Sequence, residues 1–189
     1  MSGNIVIFDS EWTTWEGAWK RRWSGPGEER EIVQIGMAKL ADTPELEEIA
    51  HLEFLIKPQI NPDLSDYFIN LTGITQPMVD DAEIFPDALP RLIDFLDSDV
   101  RVVHCFGSDG KVLHHNCQLN ELDDPFPAAL FVSIIPAVAK FIGRSENQIM
   151  SSRLPDYMGF APPGDAHTAL ADARCIAEAL RIMRRADAF

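Results

Sequence analysis

Two runs constrain this chain most: IVQIGMAKL at 32–40 and HLEFLI at 51–56, with the turn-rich stretch 41–44 between them. Both are strand-length and dominated by apolar residues, so together they predict an antiparallel hairpin. NIVIF at 4–8 adds a buried strand ahead of them, and the segments 100–105 and 130–135 add two more behind. Helical spacing appears elsewhere. Ile84, Leu89, Leu92, Ile93 and Leu96 mark one face over 84–96, and further helices are expected over 66–71, 110–122, 136–142, 148–158 and 166–185. Strands come first, and then strands alternate with helices. That order implies an α/β fold with a mixed five-stranded sheet, antiparallel early and parallel later, flanked by helices.

The chain's 189 residues suit a single domain over 1–189. No apolar run approaches the roughly 20 residues of a membrane span, and the first residues carry no basic and apolar leader. Cys105, Cys117 and Cys175 are odd in number and widely spaced. They read as reduced thiols in a cytoplasmic protein and make neither a disulfide framework nor a zinc ribbon. The formal net charge of −14 argues against tight nonspecific binding along duplex nucleic acid, which depends on many lysine and arginine contacts to phosphates.

The run at 4–8 ends in charge. Asp9 and Glu11 are two residues apart, so on a strand both carboxylates project to one side. Like charges so placed are costly unless a cation binds them, although a lone pair of this kind is common on surfaces. Near the other end, AHTALADARCIAEAL places His167 and Asp172 about 1.4 helical turns apart. Asp172 stands among Ala169, Leu170, Ala171, Ala173, Ile176 and Ala177, an unusual setting for a solvated acid. Asp109, in HCFGSDGKVLHH, falls at a strand-to-helix junction, where a helix cap is the plain alternative. Acids from three separate places suit a hard divalent cation, and two such ions can clamp an in-line displacement at phosphorus. A histidine beside them can serve as general base for water. Asp9, Glu11, Asp109, His167 and Asp172 together therefore point to metal-assisted phosphodiester hydrolysis.

These motifs resemble those of the DEDDh-type 3′–5′ exonucleases, which have a ribonuclease H-like fold. Asp9-Ser10-Glu11 matches the family's first motif, and HTALADA at 167–173 matches its His-x4-Asp motif. The stretch IKPQINPDLSDYFINLTGITQPMVDDAEIFPDAL at 56–89, with LTGIT at its centre, resembles the branch that trims small RNAs and histone messages and its bacterial relatives. The likeness extends over roughly residues 4–184. The second motif departs from the branch pattern. Phe106-Gly107-Ser108-Asp109 is one residue shorter and has Phe in place of Trp, while Lys111 and Cys117 keep their usual distances from Asp109.

The resemblance implies two divalent ions, Mg²⁺ or Mn²⁺, with Asp9 bridging both. Glu11 and Asp172 would complete the site that activates water, and Asp109 would hold the second ion. His167 would deprotonate the attacking water. The implied substrate is a single-stranded 3′ end, RNA favoured over DNA, and the product is a nucleoside 5′-monophosphate. An oligoribonuclease-like enzyme for very short fragments is one alternative. A catalytically degenerate binding module is another, though loss of an acidic position would be its mark and all five positions are filled. No membrane partner is implied.

All four tryptophans, Trp12, Trp15, Trp19 and Trp23, follow the acidic pair directly. Trp12 and Trp15 are placed to stack on bases, and Thr13 and Thr14 to meet a terminal ribose hydroxyl. Trp19 and Trp23 fit core packing equally well, since their spacing also makes a helical stripe. Lys20, Arg21 and Arg22 are either a solvated face or phosphate contacts. His104, His114 and His115 read as surface or packing residues, and Arg181, Arg184 and Arg185 as complements to a helix C-terminus.

Overall fold

The computed structural model describes residues 3–164 and 167–189. Strands β1 (Asn4–Trp12), β2 (Ile32–Leu40), β3 (Glu48–Lys57), β4 (Glu83–Ile84), β5 (Val100–Cys105) and β6 (Phe131–Ser133) form one sheet in the order β4-β3-β2-β1-β5-β6. β1 runs antiparallel to β2, and β2 to β3. The pairs β1–β5, β5–β6 and β3–β4 are parallel. The mixed sheet thus has the expected arrangement but six strands instead of five. The sixth, β4, is a two-residue pairing of Glu83 and Ile84 beside Ile56 and Lys57. It is too short to alternate, and in the sequence Ile84 merges with the helical spacing that follows.

The helices are α1 (Ala18–Arg21), α2 (Asp66–Thr72), α3 (Gln76–Asp80), α4 (Phe85–Phe95), α5 (Asp109–Leu119), α6 (Ile135–Ile142), α7 (Leu154–Met158) and α8 (Ala169–Arg185). The helix expected over 148–158 is broken. Short 3₁₀ turns at Glu146–Gln148 and Ser151–Arg153 precede α7, and Pro155 sits in its first turn. Proline suits that position and cannot sit inside a continuous helix without losing a bond. The expected start of the last helix, Ala166, lies outside the described residues.

Alternation along β1 sorts its side chains into two cores. Ile5 and Ile7 pack with Ala173, Ile176, Ala177 and Leu180 of α8. Val6 and Phe8 pack with Leu89 and Leu92 of α4 and Val112 and Leu113 of α5. Helices therefore cover both faces of β1. By the same alternation, Asp9 and Glu11 extend the face that meets α8, and Ser10 extends the face that meets α5. LTGIT closes a helix. Thr72 donates to the Phe68 carbonyl at 2.9 Å and accepts from Ile74 N–H at 3.1 Å, and Gly73 takes the left-handed C-cap. No helix among the described residues is long and apolar enough to cross a membrane.

Candidate active site

β1 runs past Phe8 to Trp12, so Asp9 and Glu11 belong to the strand. Asp9 is buried and Glu11 half-buried. Their cross-strand partners on β2 are Gly36 and Gln34. Both partners serve α8. A Cβ at Gly36 would stand 2.1 Å from the Leu170 nitrogen and 2.2 Å from the Ala169 carbonyl carbon, so only glycine lets the helix start so close to β2. Gln34 accepts the Ala169 N–H at 3.0 Å, satisfying one of the free donors at a helix start. Asp172, in the first turn of α8, is thereby carried to the acidic pair.

Asp109 arrives from the other face. It is the first residue of α5, with Ser108 as the cap residue, so the plain N-cap reading does not hold. Its carboxylate accepts the Ser10 N–H at 3.2 Å and the Ser10 hydroxyl at 2.9 Å. The residue between Asp9 and Glu11 thus binds the third acid directly. Gly107, at φ 118, makes the turn out of β5. With the shortened second motif, Asp109 lies against Ser10 and near enough to Asp9 and Glu11 to raise both.

His167 has a left-handed backbone, φ 63, which is uncommon outside glycine though histidine, like asparagine and aspartate, adopts it more readily than most residues. Its N–H donates to Asp172 Oδ2 at 3.3 Å, folding the turn back onto the acid. Ligand atoms of Glu11, His167 and Asp172 all lie within 4.8 Å of one another.

Electrostatics mark the four acids as a unit. Burial pushes Asp9 well above the usual carboxylate range, and Asp109, Glu11 and Asp172 add to the rise. Burial raises Glu11 to about 9, helped by Asp172 and Asp109. Asp109 is raised to about 6 by burial, against the opposing hydrogen bonds from Ser10. Burial also raises Asp172, which His167 partly offsets. Four carboxylates that resist ionising beside one another, with oxygen ligands from three elements, fit divalent cations.

The tryptophan segment adjoins this cluster. A register shift follows Glu11, at the point where Trp12 leaves the regular pairing. Trp12, Trp19, Phe106, Ile135, Met150 and His167 line a cleft of about 400 Å³. Trp15 and Thr14 are half-buried. Thr13 is turned inward. Its hydroxyl donates to the Glu29 carbonyl at 2.6 Å and accepts from Glu31 N–H at 3.0 Å, so its donor is spent within the protein. Trp19 is 78% exposed and is no part of a core.

Three buried polar residues shape the site without carrying a sequence motif. Gln34 is the first. Asn116 is the second: its carbonyl accepts Ile32 N–H at 3.0 Å, and its amide donates to Arg30 and Val112 carbonyls at 2.8 and 2.9 Å, locking α5 to β2. The third is Glu31, whose carboxylate accepts the N–H groups of Gln59, Ile60 and Asn61 at 2.6, 2.8 and 2.6 Å. The one signal in the sequence is position: polar residues inside or at the edge of apolar runs.

The histidines at 104, 114 and 115 have separate partners. His104 packs edge-on to Phe189, His114 pairs with Asp124, and His115 pairs with Glu29. Arg184 and Arg185 stand in the last turn of α8, as a helix dipole favours. They also bind acids, Arg184 to Asp42 and Arg185 to Glu178, while Arg181 binds Glu178 and the Leu46 carbonyl.

Comparison with known proteins gives a consistent result. The family model described as Exonuclease (RNase_T) matches residues 6–180. The 3′-5′ exoribonuclease 1 of Rattus norvegicus is 30% identical over 190 residues, covering 95% of this chain and 53% of that protein. The chain thus spans about half the length of the curated relatives it matches. The nuclease domain of 3′hExo, a DEDDh family member bound to rAMP, superposes with a TM-score of 0.84 at 28% identity, covering 98% of this chain and 93% of that domain. A structure described as 3′-end specific recognition of a histone mRNA stem-loop by a 3′-exonuclease gives 0.85 at 27% identity, covering 98% and 64%.

Proposed function

This chain belongs to the exonuclease family whose model it matches over residues 6–180, and we propose that it is a metal-dependent 3′–5′ exonuclease acting on single-stranded ends, RNA preferred. The observation that carries the reading is geometric: ligand atoms of Glu11, His167 and Asp172 lie within 4.8 Å of one another, Asp9 stands two residues from Glu11 on β1, and Asp109 is tied to Ser10 between them. Divalent ions held by these four acids, Mg²⁺ or Mn²⁺ and two in number, would supply Lewis-acid polarisation of the scissile phosphate.

The protein's own residues do the rest. Asp9 is buried beside the other three acids and would hold a divalent ion with them. Ser10 orients Asp109 through two hydrogen bonds. His167, beside Glu11 and Asp172, takes the proton of the attacking water. Trp12, Thr14 and Trp15 hold the terminal nucleotide, and Thr13 positions that segment from below. The whole chain acts as one exonuclease domain. Three buried free thiols support a cytoplasmic setting.

Product analysis tests the reading. A single-stranded RNA incubated with Mg²⁺ should release nucleoside 5′-monophosphates, and EDTA should stop the release. Release of 3′-phosphorylated products, or cleavage that starts internally, would refute it. An oligoribonuclease-like enzyme would act on very short fragments alone, which a length series resolves.

A further inference from the structure

The site as described leaves Trp19, Trp23 and the basic cluster of α1 without a role. Trp19 is 78% exposed, more than any other large apolar side chain among the described residues. It is nevertheless held. Its ring meets Trp23 edge-on at 5.9 Å, and Trp23 meets Trp12 at 6.3 Å. The Arg30 guanidinium covers Trp23 at 5.5 Å. Three indoles thus form a continuous row leading outward from the end of β1.

The backbone beneath this row is strained. Arg22 and Trp23 both have positive φ, 56 and 52, a conformation that side chains other than glycine rarely adopt. Arg21 stabilises the loop from within by pairing with Glu28 and donating to the Glu16 carbonyl at 2.8 Å. Lys20 and Arg22 are exposed and have no ion pair among the described residues. In a chain with net charge −14, these two cations without ion pairs stand between Trp19 and Trp23 in the sequence. Trp19, Lys20, Arg22 and Trp23 line an open cleft of about 430 Å³. Trp19 also lines the cleft that holds Trp12 and His167, so the two clefts meet at its ring.

We propose that Trp19, Lys20 and Arg22 form a second platform for the single strand, stacking a base upstream of the terminal nucleotide and contacting the phosphates beside it. The proposal rests on the exonuclease reading of the neighbouring site. Its occupant follows from the chemistry: an exposed indole face accepts any unpaired base, and flanking cations track a phosphate backbone. The platform makes affinity depend on length and leaves it indifferent to sequence.

The test is fluorescence anisotropy with 5′-labelled RNA of about two and about six nucleotides, with Ca²⁺ in place of Mg²⁺. Trp19→Ala should weaken hexamer binding about 10-fold and leave the dimer within about 2-fold, and Trp19→Phe should restore most of the affinity. The double variant Lys20→Ala/Arg22→Ala should flatten the dependence of log affinity on log salt by about 1.4, or about 0.7 for each phosphate that is no longer neutralised. Hexamer affinity unchanged in both variants, or weakening equal for dimer and hexamer, overturns the platform. A wild-type protein that releases monophosphates but ignores Trp19 loses only this inference. A wild-type protein that neither cleaves with Mg²⁺ nor binds either RNA loses the exonuclease reading as well.

Discussion

Gly36 and Ala169 meet where β2 passes beneath the start of α8, with room for a hydrogen at residue 36 and none for a methyl group, which would stand 2.2 Å from the Ala169 carbonyl carbon. The contact sets how close Asp172 comes to Asp9. Gly36→Ala should therefore cost about 1–3 kcal/mol of stability as an overpacked site. It should also weaken divalent-ion binding by displacing Asp172. Thermal denaturation with and without Mg²⁺ checks both. A variant with unchanged melting temperature and metal affinity would contradict this placement of the helix.

The acid cluster gives the metal-free protein a pH dependence of unusual sign. Glu11 moves from an ordinary 4.5 to about 9 and Asp109 from 3.8 to about 6. Between those values the folded protein binds more protons than the unfolded chain, so stability falls as pH rises from about 4 to about 9. In EDTA the melting temperature should drop between pH 5 and pH 8, and Glu11→Gln should raise it at pH 8. Saturating Mg²⁺ should restore the stability, by about 2.7 kcal/mol at 100 times the dissociation constant. A melting temperature that climbs with pH in EDTA would contradict the cost of ionising these acids where burial and their neighbours hold them protonated.

Asn116 of α5 is 1% exposed and makes two hydrogen bonds across to the start of β2, with Ile32 N–H and the Arg30 carbonyl, and a third to the Val112 carbonyl within its own helix. Asn116→Ala leaves buried backbone groups unpaired, at about 1–3 kcal/mol. For a chain of this size that lowers the melting temperature by about 2–4 °C per kcal/mol. Calorimetry measures it directly. Because α5 begins at Asp109, activity should fall along with stability.

His167 is proposed to move a proton, so His167→Asn should reduce kcat by about 10²–10⁴-fold. Mg²⁺ affinity should change much less, because the four acids remain. Titration calorimetry beside steady-state kinetics separates the two. Abolished metal binding with a parallel fall in kcat would recast His167 as a ligand.

Much of this site is legible in the chain. Asp9, Glu11, His167 and Asp172 announce themselves by spacing, and five of the strand segments, antiparallel early and parallel later, follow from apolar runs and turn residues. The parts that are not legible depend on contacts distant in sequence. Gln34 and Asn116 bind groups 135 and 84 positions away, and nothing in their local pattern marks that. Thr13 sits beside the acidic pair like a substrate contact, yet its hydroxyl faces Glu29 and Glu31, because a side chain's direction at a strand end is set by the neighbouring loop. β4 escapes the sequence pattern because a strand of two residues has no period.

Removal of the Asp9 carboxylate gives the sharpest test of metal-dependent 3′–5′ cleavage. A 5′-labelled single-stranded RNA is incubated with Mg²⁺ and either the wild-type protein or Asp9→Ala, and the products are resolved by length. The account predicts a ladder shortening from the 3′ end with wild type and intact RNA with Asp9→Ala or with EDTA. An undiminished ladder from Asp9→Ala, or binding without cleavage by wild type under Mg²⁺ and Mn²⁺ alike, would contradict it.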